Sequence, residues 1–233
     1  MSGRWATFDC YGTIVDWNAG VQRELARLFG GEAATRLLQR YHEVEPEIQR
    51  AKPEATYREV LTMALERLAL EEGRQLPPEE VGALANSLPW WPIFADASGA
   101  LLEAQDRGWK LAILSNTDRD LLEASMDTIG VPFDGSIVAS EIGSYKPASR
   151  HWEAFAEGLG RGAQAHVHVA QSLFHDIAPA YELEIPTIWI NRLEEPADSR
   201  PRQTLRALTG LADALDAIDS VFPPSGGRNG KSR

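Results

Sequence analysis

Cysteine is nearly missing from this 233-residue sequence: Cys10 is the single one, so no disulfide can form within the chain. Such usage fits a reducing compartment, and a cytoplasmic location is expected. No apolar run reaches the length of a membrane span, and the first residues show no signal-peptide layout. Positive charge is scarce as well, with 23 Lys and Arg against 34 Asp and Glu and a formal net charge of −11. A surface of that sign repels polyanions, so neither nucleic acid nor an anionic membrane is expected as a partner. A small anionic substrate would need local cations set against the global field. What remains is an ordinary globular composition, 43% hydrophobic, long enough for one core and a smaller inserted unit without staples.

The chain is organised around Trp5-Ala6-Thr7-Phe8-Asp9-Cys10-Tyr11-Gly12-Thr13. Residues 4–9 read as a buried strand with a carboxylate at its end; Gly12 allows a sharp turn and Thr13 adds a hydroxyl. Residues 17–91 read instead as helices. Leu37, Tyr41, Val44 and Ile48 make one apolar stripe with Arg40 at its margin, and Tyr57, Val60, Leu61, Ala64, Leu65 and Leu68 make another. Trp90 and Trp91 close that block between two prolines and are expected to pack between the units. From 92 onward helices alternate with short apolar strands at 110–116, 137–139, 166–170 and 187–190, which predicts βαβ units and a parallel sheet. Leu205–Ile218 reads mostly as a closing helix. The expected fold is therefore α/β: a Rossmann-like core over 1–16 and 92–222, a helical cap over 17–91, and a disordered tail over 223–233.

Polar residues gather where the strands should end: Asp9 and Thr13, Ser115 and Asn116, then Asp176, with Lys146 opening a helix. Parallel strands bring such ends to one crevice. A carboxylate kept ionised by a lysine, with hydroxyls to hold an anion, suggests nucleophilic catalysis by aspartate. Each residue alone has a plainer reading: a loop cap for Asp9, a strand-end cap for Ser115, a surface charge for Lys146, a helix cap for Asp176. Cys10 does not fit a cysteine phosphatase, because Asp16 stands where that chemistry needs arginine. His166 and His168 share one strand face with no evident third ligand, so core histidines are expected there and no metal site.

Asp9-x-Tyr11-Gly12-Thr13, Ser115-Asn116, Tyr145-Lys146-Pro147 and His175-Asp176 together resemble the four motifs of the haloacid dehalogenase superfamily, most of all its L-2-haloacid dehalogenase branch. The resemblance implies that Asp9 attacks the substrate carbon beside Lys146, and that Asp176 orients or activates the hydrolytic water. It further implies that Thr13, Tyr11, Ser115, Asn116 and His175 line or bind the substrate, and that Arg40 draws off the halide. The implied reaction releases halide and a 2-hydroxy acid without a cofactor, and homodimers are common in that branch. The alternative for Arg40 is a surface ion pair with Glu43 or Glu47. Two departures stand out: Gln171 and Leu173 fall where polar Ser and Asn are frequent, and Trp152 falls where tyrosine is frequent. The main rival is an Mg²⁺-dependent phosphatase of the same superfamily. It would want a second acid at position 11, where this chain has Tyr11, to protonate an alkoxide that a halide does not need. A catalytically silent binding protein is the rival from another class.

Overall fold

The computed structural model describes residues 3–221. The tail expected over 223–233 lies outside the described residues. A six-stranded parallel sheet runs in the order β3-β2-β1-β4-β5-β6, with β1 (Arg4–Phe8) inside it. After β1 the chain is helical: α1 (Trp17–Phe29), α2 (Gly31–Ala51), α3 (Tyr57–Glu71) and α4 (Ala83–Ser87) precede α5 (Ala97–Asp106). Then follow β2 (Trp109–Ser115), α6 (Arg119–Ile129), β3 (Gly135–Val138), α7 (Ala139–Ile142) and α8 (Arg150–Glu157). The chain closes with β4 (Ala165–Ala170), α9 (Ala178–Glu182), β5 (Thr187–Ile190), β6 (Gln203–Leu205) and α10 (Leu211–Val221).

Two differences from the sequence reading lie at the C-terminal end. β6 is a short, largely exposed strand with no apolar run to announce it. Leu205 belongs to that strand, so the closing helix begins at Leu211 rather than Leu205. The tryptophan pair also splits. Trp91 is 3% exposed and lies against Gly20, where a Cβ would come within 2.2 Å of the indole; Trp90 is 76% exposed.

Register decides where the chemistry gathers. Phe8 is level with Ile113 on one side and Val169 on the other, so the next residues, Asp9, Leu114 and Ala170, share one edge. The buried stripe of α2 (Leu37, Tyr41, Val44, Ile48) packs within the insertion. α3 starts at a capping box between Thr56 and Glu59. Asp118 heads α6 without capping it; its carboxylate accepts the N–H groups of Tyr57 and Arg58 instead, both at 2.9 Å. A core carboxylate thus satisfies the free donors of an insertion helix and pins it over the sheet edge.

Candidate active site

At that edge a cleft of about 420 Å³ opens between the sheet and the insertion. Lys146 is 2% exposed and lies at its base. Its ammonium donates to Asp9 Oδ1 at 2.8 Å, Asp176 Oδ1 at 2.6 Å and the Leu114 carbonyl at 2.8 Å. All three of its protons are therefore used, which is what a buried ammonium requires. Thr13 donates to Asp9 Oδ2 at 3.1 Å and accepts from the Gln171 N–H at 2.9 Å. Gly12 makes that turn at φ +94°, a conformation side chains resist.

The two carboxylates are not equivalent. Burial pushes Asp9 up, Lys146 pulls it down and the charge of Asp176 pushes it up again, leaving it above the usual aspartate value. Burial would also raise Asp176, but the Lys146 ammonium and the His168 donor outweigh it and hold it well below the carboxylate range. Asp176 is therefore the fixed counter-charge and Asp9 the more basic, more nucleophilic oxygen pair. For Lys146, burial pushes down while Asp176 and Asp9 push up, and the two anions prevail.

The match to known proteins spans these residues. The family model for haloacid dehalogenase-like hydrolases matches residues 4–180. The chain belongs to the haloacid dehalogenase-like hydrolases. It is 26% identical over 203 residues to (S)-2-haloacid dehalogenase 4A of Burkholderia cepacia, covering 84% of this chain and 86% of that one. With the (S)-2-haloacid dehalogenase of Pseudomonas sp. strain YL it shares 27% identity over 189 residues, 79% of this chain and 81% of the relative. The fold matches an L-2-haloacid dehalogenase from Xanthobacter autotrophicus, determined with chloropropionic acid covalently bound. There the TM-score is 0.82 at 19% identity, over 94% of this chain and all of that one.

In this haloacid dehalogenase-like hydrolase not every expected residue meets the cleft. Arg40 does not. It donates to Glu71 at 2.9 Å and to Glu43 at 2.6 Å, and it is absent from the cleft walls among the described residues. The surface ion pair foreseen with Glu43 is what the structure shows, and the expected halide-side cation is corrected accordingly. Arg40→Ala should change kcat/KM by less than about twofold, as exposed ion pairs contribute little; a tenfold loss would return it to the site.

Asn116 lines the cleft, but its amide is committed: Oδ1 accepts from Lys146 N at 2.6 Å and Nδ2 donates to Lys146 O at 3.0 Å. It positions the lysine and has little left for a substrate. The Ser115 hydroxyl, in contrast, is buried with no partner among the described residues, a donor in reserve. Tyr11 gives its ring to the wall, while its hydroxyl reaches Ser125 at 3.0 Å. Burial and nearby Cys10 push that phenol well up, so it is no acid for a leaving group. His175 lines the cleft next to Asp176, with Nδ1 at 3.2 Å from Ser172 Oγ, and burial keeps it low and hence neutral near neutral pH.

His168 is the functional neighbour that sequence reasoning missed. Its Nε2 lies 3.0 Å from Asp176 Oδ1, and its Nδ1 lies 2.9 Å from Thr7 Oγ1, which in turn meets His166 Nε2 at 2.8 Å. The i, i+2 spacing of the two histidines put them on one face, but only the pairing with β1 shows that Thr7 joins them. Trp152 lies behind, edge-on to His168 at 5.3 Å, and so replaces no cleft wall. Leu173 packs with Ala170, Ile177 and Trp189, whereas Gln171 does line the cleft.

Proposed function

We propose that this hydrolase removes halide from short 2-haloalkanoic acids through an ester formed on Asp9. An Asp9 oxygen attacks C2, the carbon–halogen bond breaks with inversion, and the halide leaves unprotonated. Water then adds to the ester carbonyl, the Asp9–substrate bond breaks, and a 2-hydroxy acid departs with one proton released. Asp176, held so low, is a weak base and serves to orient; the imidazole of His175 beside it in the cleft wall, lowered by burial and therefore neutral, is available to accept a proton. The observation that carries this reading is the absence of a usable acid two residues after Asp9: the Tyr11 hydroxyl points to Ser125. A departing halide tolerates that, a departing alkoxide does not.

No cofactor is proposed. The Lys146 ammonium already bridges Asp9 and Asp176, and among the described residues no three His, Cys, Asp or Glu groups converge as a metal set. The deciding assay is halide release from L- and D-2-chloropropionate, chloroacetate and fluoroacetate, beside para-nitrophenyl phosphate with Mg²⁺. Halide release should survive exhaustive EDTA treatment. Activity that vanishes with chelator and returns with Mg²⁺ on phosphate esters would assign the chain to phosphatase chemistry instead.

A further inference from the structure

The insertion side of the cleft carries a feature that removal of halide from a three-carbon acid does not use. Glu45, on α2, is 7% exposed, yet it lines the cleft. Its Oε1 accepts from Gln49 Nε2 at 2.6 Å, and no arginine or lysine among the described residues pairs with it. Gln49, buried and lining the same wall, gives its amide hydrogen to Glu45 and so holds that carboxyl in place. Pro46, next to Glu45 in the helix, lines the same wall. Trp17 and Tyr57 also line the cleft.

A buried carboxyl group in a cleft wall with no cation paired to it suits a positively charged donor, and aromatic residues in the same lining favour one too. The balance of the cleft points the same way. Asp9, Asp16, Glu45, Asp176 and Glu195 line it against two cations, Lys146 and Arg192. Lys146 is taken by Asp9 and Asp176, and Arg192 by Asp96. The cleft's volume, about 420 Å³, lies within the ~300–1,000 Å³ range of small-molecule sites and exceeds what a haloacetate fills.

We propose that this wall is a subsite for an ammonium group on the substrate, bound by the Glu45 carboxylate with Gln49, Trp17 and Tyr57 around it. The inference rests on the Asp9 cleft being the active site but not on which bond Asp9 breaks. It names the substrate class as acids that carry an amine at the end remote from the reacting carbon.

Burial alone pushes Glu45 up to about 7, so near neutrality it is partly protonated while empty, and an ammonium ligand should displace that proton. The groups facing it do not confuse that signal. Tyr41, Tyr57 and Tyr145 are pushed up by burial, and His42 and His175 are held low by partial burial. Across the cleft Asp9, Lys146 and Asp176 keep one another's charges, and Asp16, Glu195 and Arg192 lie at the remaining walls.

The test is calorimetry on the whole wild-type protein with non-reacting probes: butyrate against 4-aminobutyrate and 4-hydroxybutyrate, and valerate against 5-aminovalerate. The amino acids should bind at least about tenfold more tightly than the matching alkanoates, with proton release in buffers of different ionisation enthalpy. Glu45→Gln, which keeps volume and hydrogen bonding, should bring the ratio below about threefold and end the proton release; Gln49→Met should lower it part-way. Equal binding of amino and plain acids, no saturable binding of the amino acids, hydroxy acids binding as well as amino acids, or a ratio untouched by Glu45→Gln would each overturn the subsite. Halide release from 2-chloropropionate reports on the dehalogenase reading separately, since these probes contain no halogen.

Discussion

Replacing Asp9 by asparagine should lower turnover by about 10⁴-fold or more while leaving the fold in place. The amide keeps the shape of the carboxylate, with its oxygen left to accept from Lys146 and its NH2 turned to the Thr13 hydroxyl oxygen, but the attacking anion is gone. Removing one of two anions around Lys146 leaves the ammonium paired with Asp176 alone at 2.6 Å, which suffices to keep it buried. The distinguishing measurement is a single turnover in ¹⁸O-labelled water with enzyme in excess. Hydrolysis of an Asp9 ester puts the first labelled oxygen into the Asp9 carboxylate, and the product takes its oxygen from the protein. Label found directly in the 2-hydroxy acid, with none in the protein, would mean that water attacks the substrate carbon and that Asp9 acts as a base.

The residues on which that experiment turns were legible in the sequence because strand ends are legible. A buried run that stops at a polar residue needs no knowledge of neighbouring strands to place that residue at a sheet edge, and Asp9 and Ser115 gain from that logic, whereas Asp176 lies in the turn beyond β4. Helix faces are a harder matter. On α2 the stripe of Leu37, Tyr41, Val44 and Ile48 has two flanks, and Arg40 and Glu45 lie on opposite ones, about 140° apart at ~100° per residue. Periodicity finds the stripe but does not say which flank looks into the cleft. That depends on how α1 and α3 clamp the helix, and the cleft-facing flank proved to carry His42, Glu45, Pro46 and Gln49. A cation was expected on the cleft side of this helix, and the flank that lines the cleft carries a carboxyl group, Glu45, instead.

Hydrogen-bond economy explains the other shortfalls. Asn116 is at the expected place, yet its amide is spent on the backbone of Lys146, a pairing across 30 residues that sequence spacing does not reveal. His168 is an equally long-range case, since its partner Thr7 becomes visible only once β4 is laid beside β1. Both residues serve the two charged groups they hold, Lys146 and Asp176, and both show the cost of burying charge: every proton and lone pair must be matched.

That requirement sets the expectation for Lys146→Met. The substitution removes three hydrogen bonds from a side chain that is 2% exposed, and it leaves Asp9 and Asp176 facing each other with no cation between them. Breaking a buried ion pair from one side costs about 3–5 kcal/mol, so a clear fall in unfolding midpoint is expected. The pair has one way to relieve the repulsion, which is to take up a proton. Asp176 keeps its His168 donor at 3.0 Å, whereas Asp9 keeps the Thr13 hydroxyl and is already above the ordinary aspartate value. The proton therefore goes to Asp9, the proposed nucleophile. Loss of the ammonium removes the influence that lowers Asp9, so its pKa rises further and the acidic limb of the pH–rate profile should move to higher pH. At neutral pH the rate should drop on the order of 10³-fold, with part of it regained as the pH is raised and Asp9 ionises again. A role confined to holding the substrate would show differently: KM would rise, the limb would stay where it is, and alkaline pH would restore nothing.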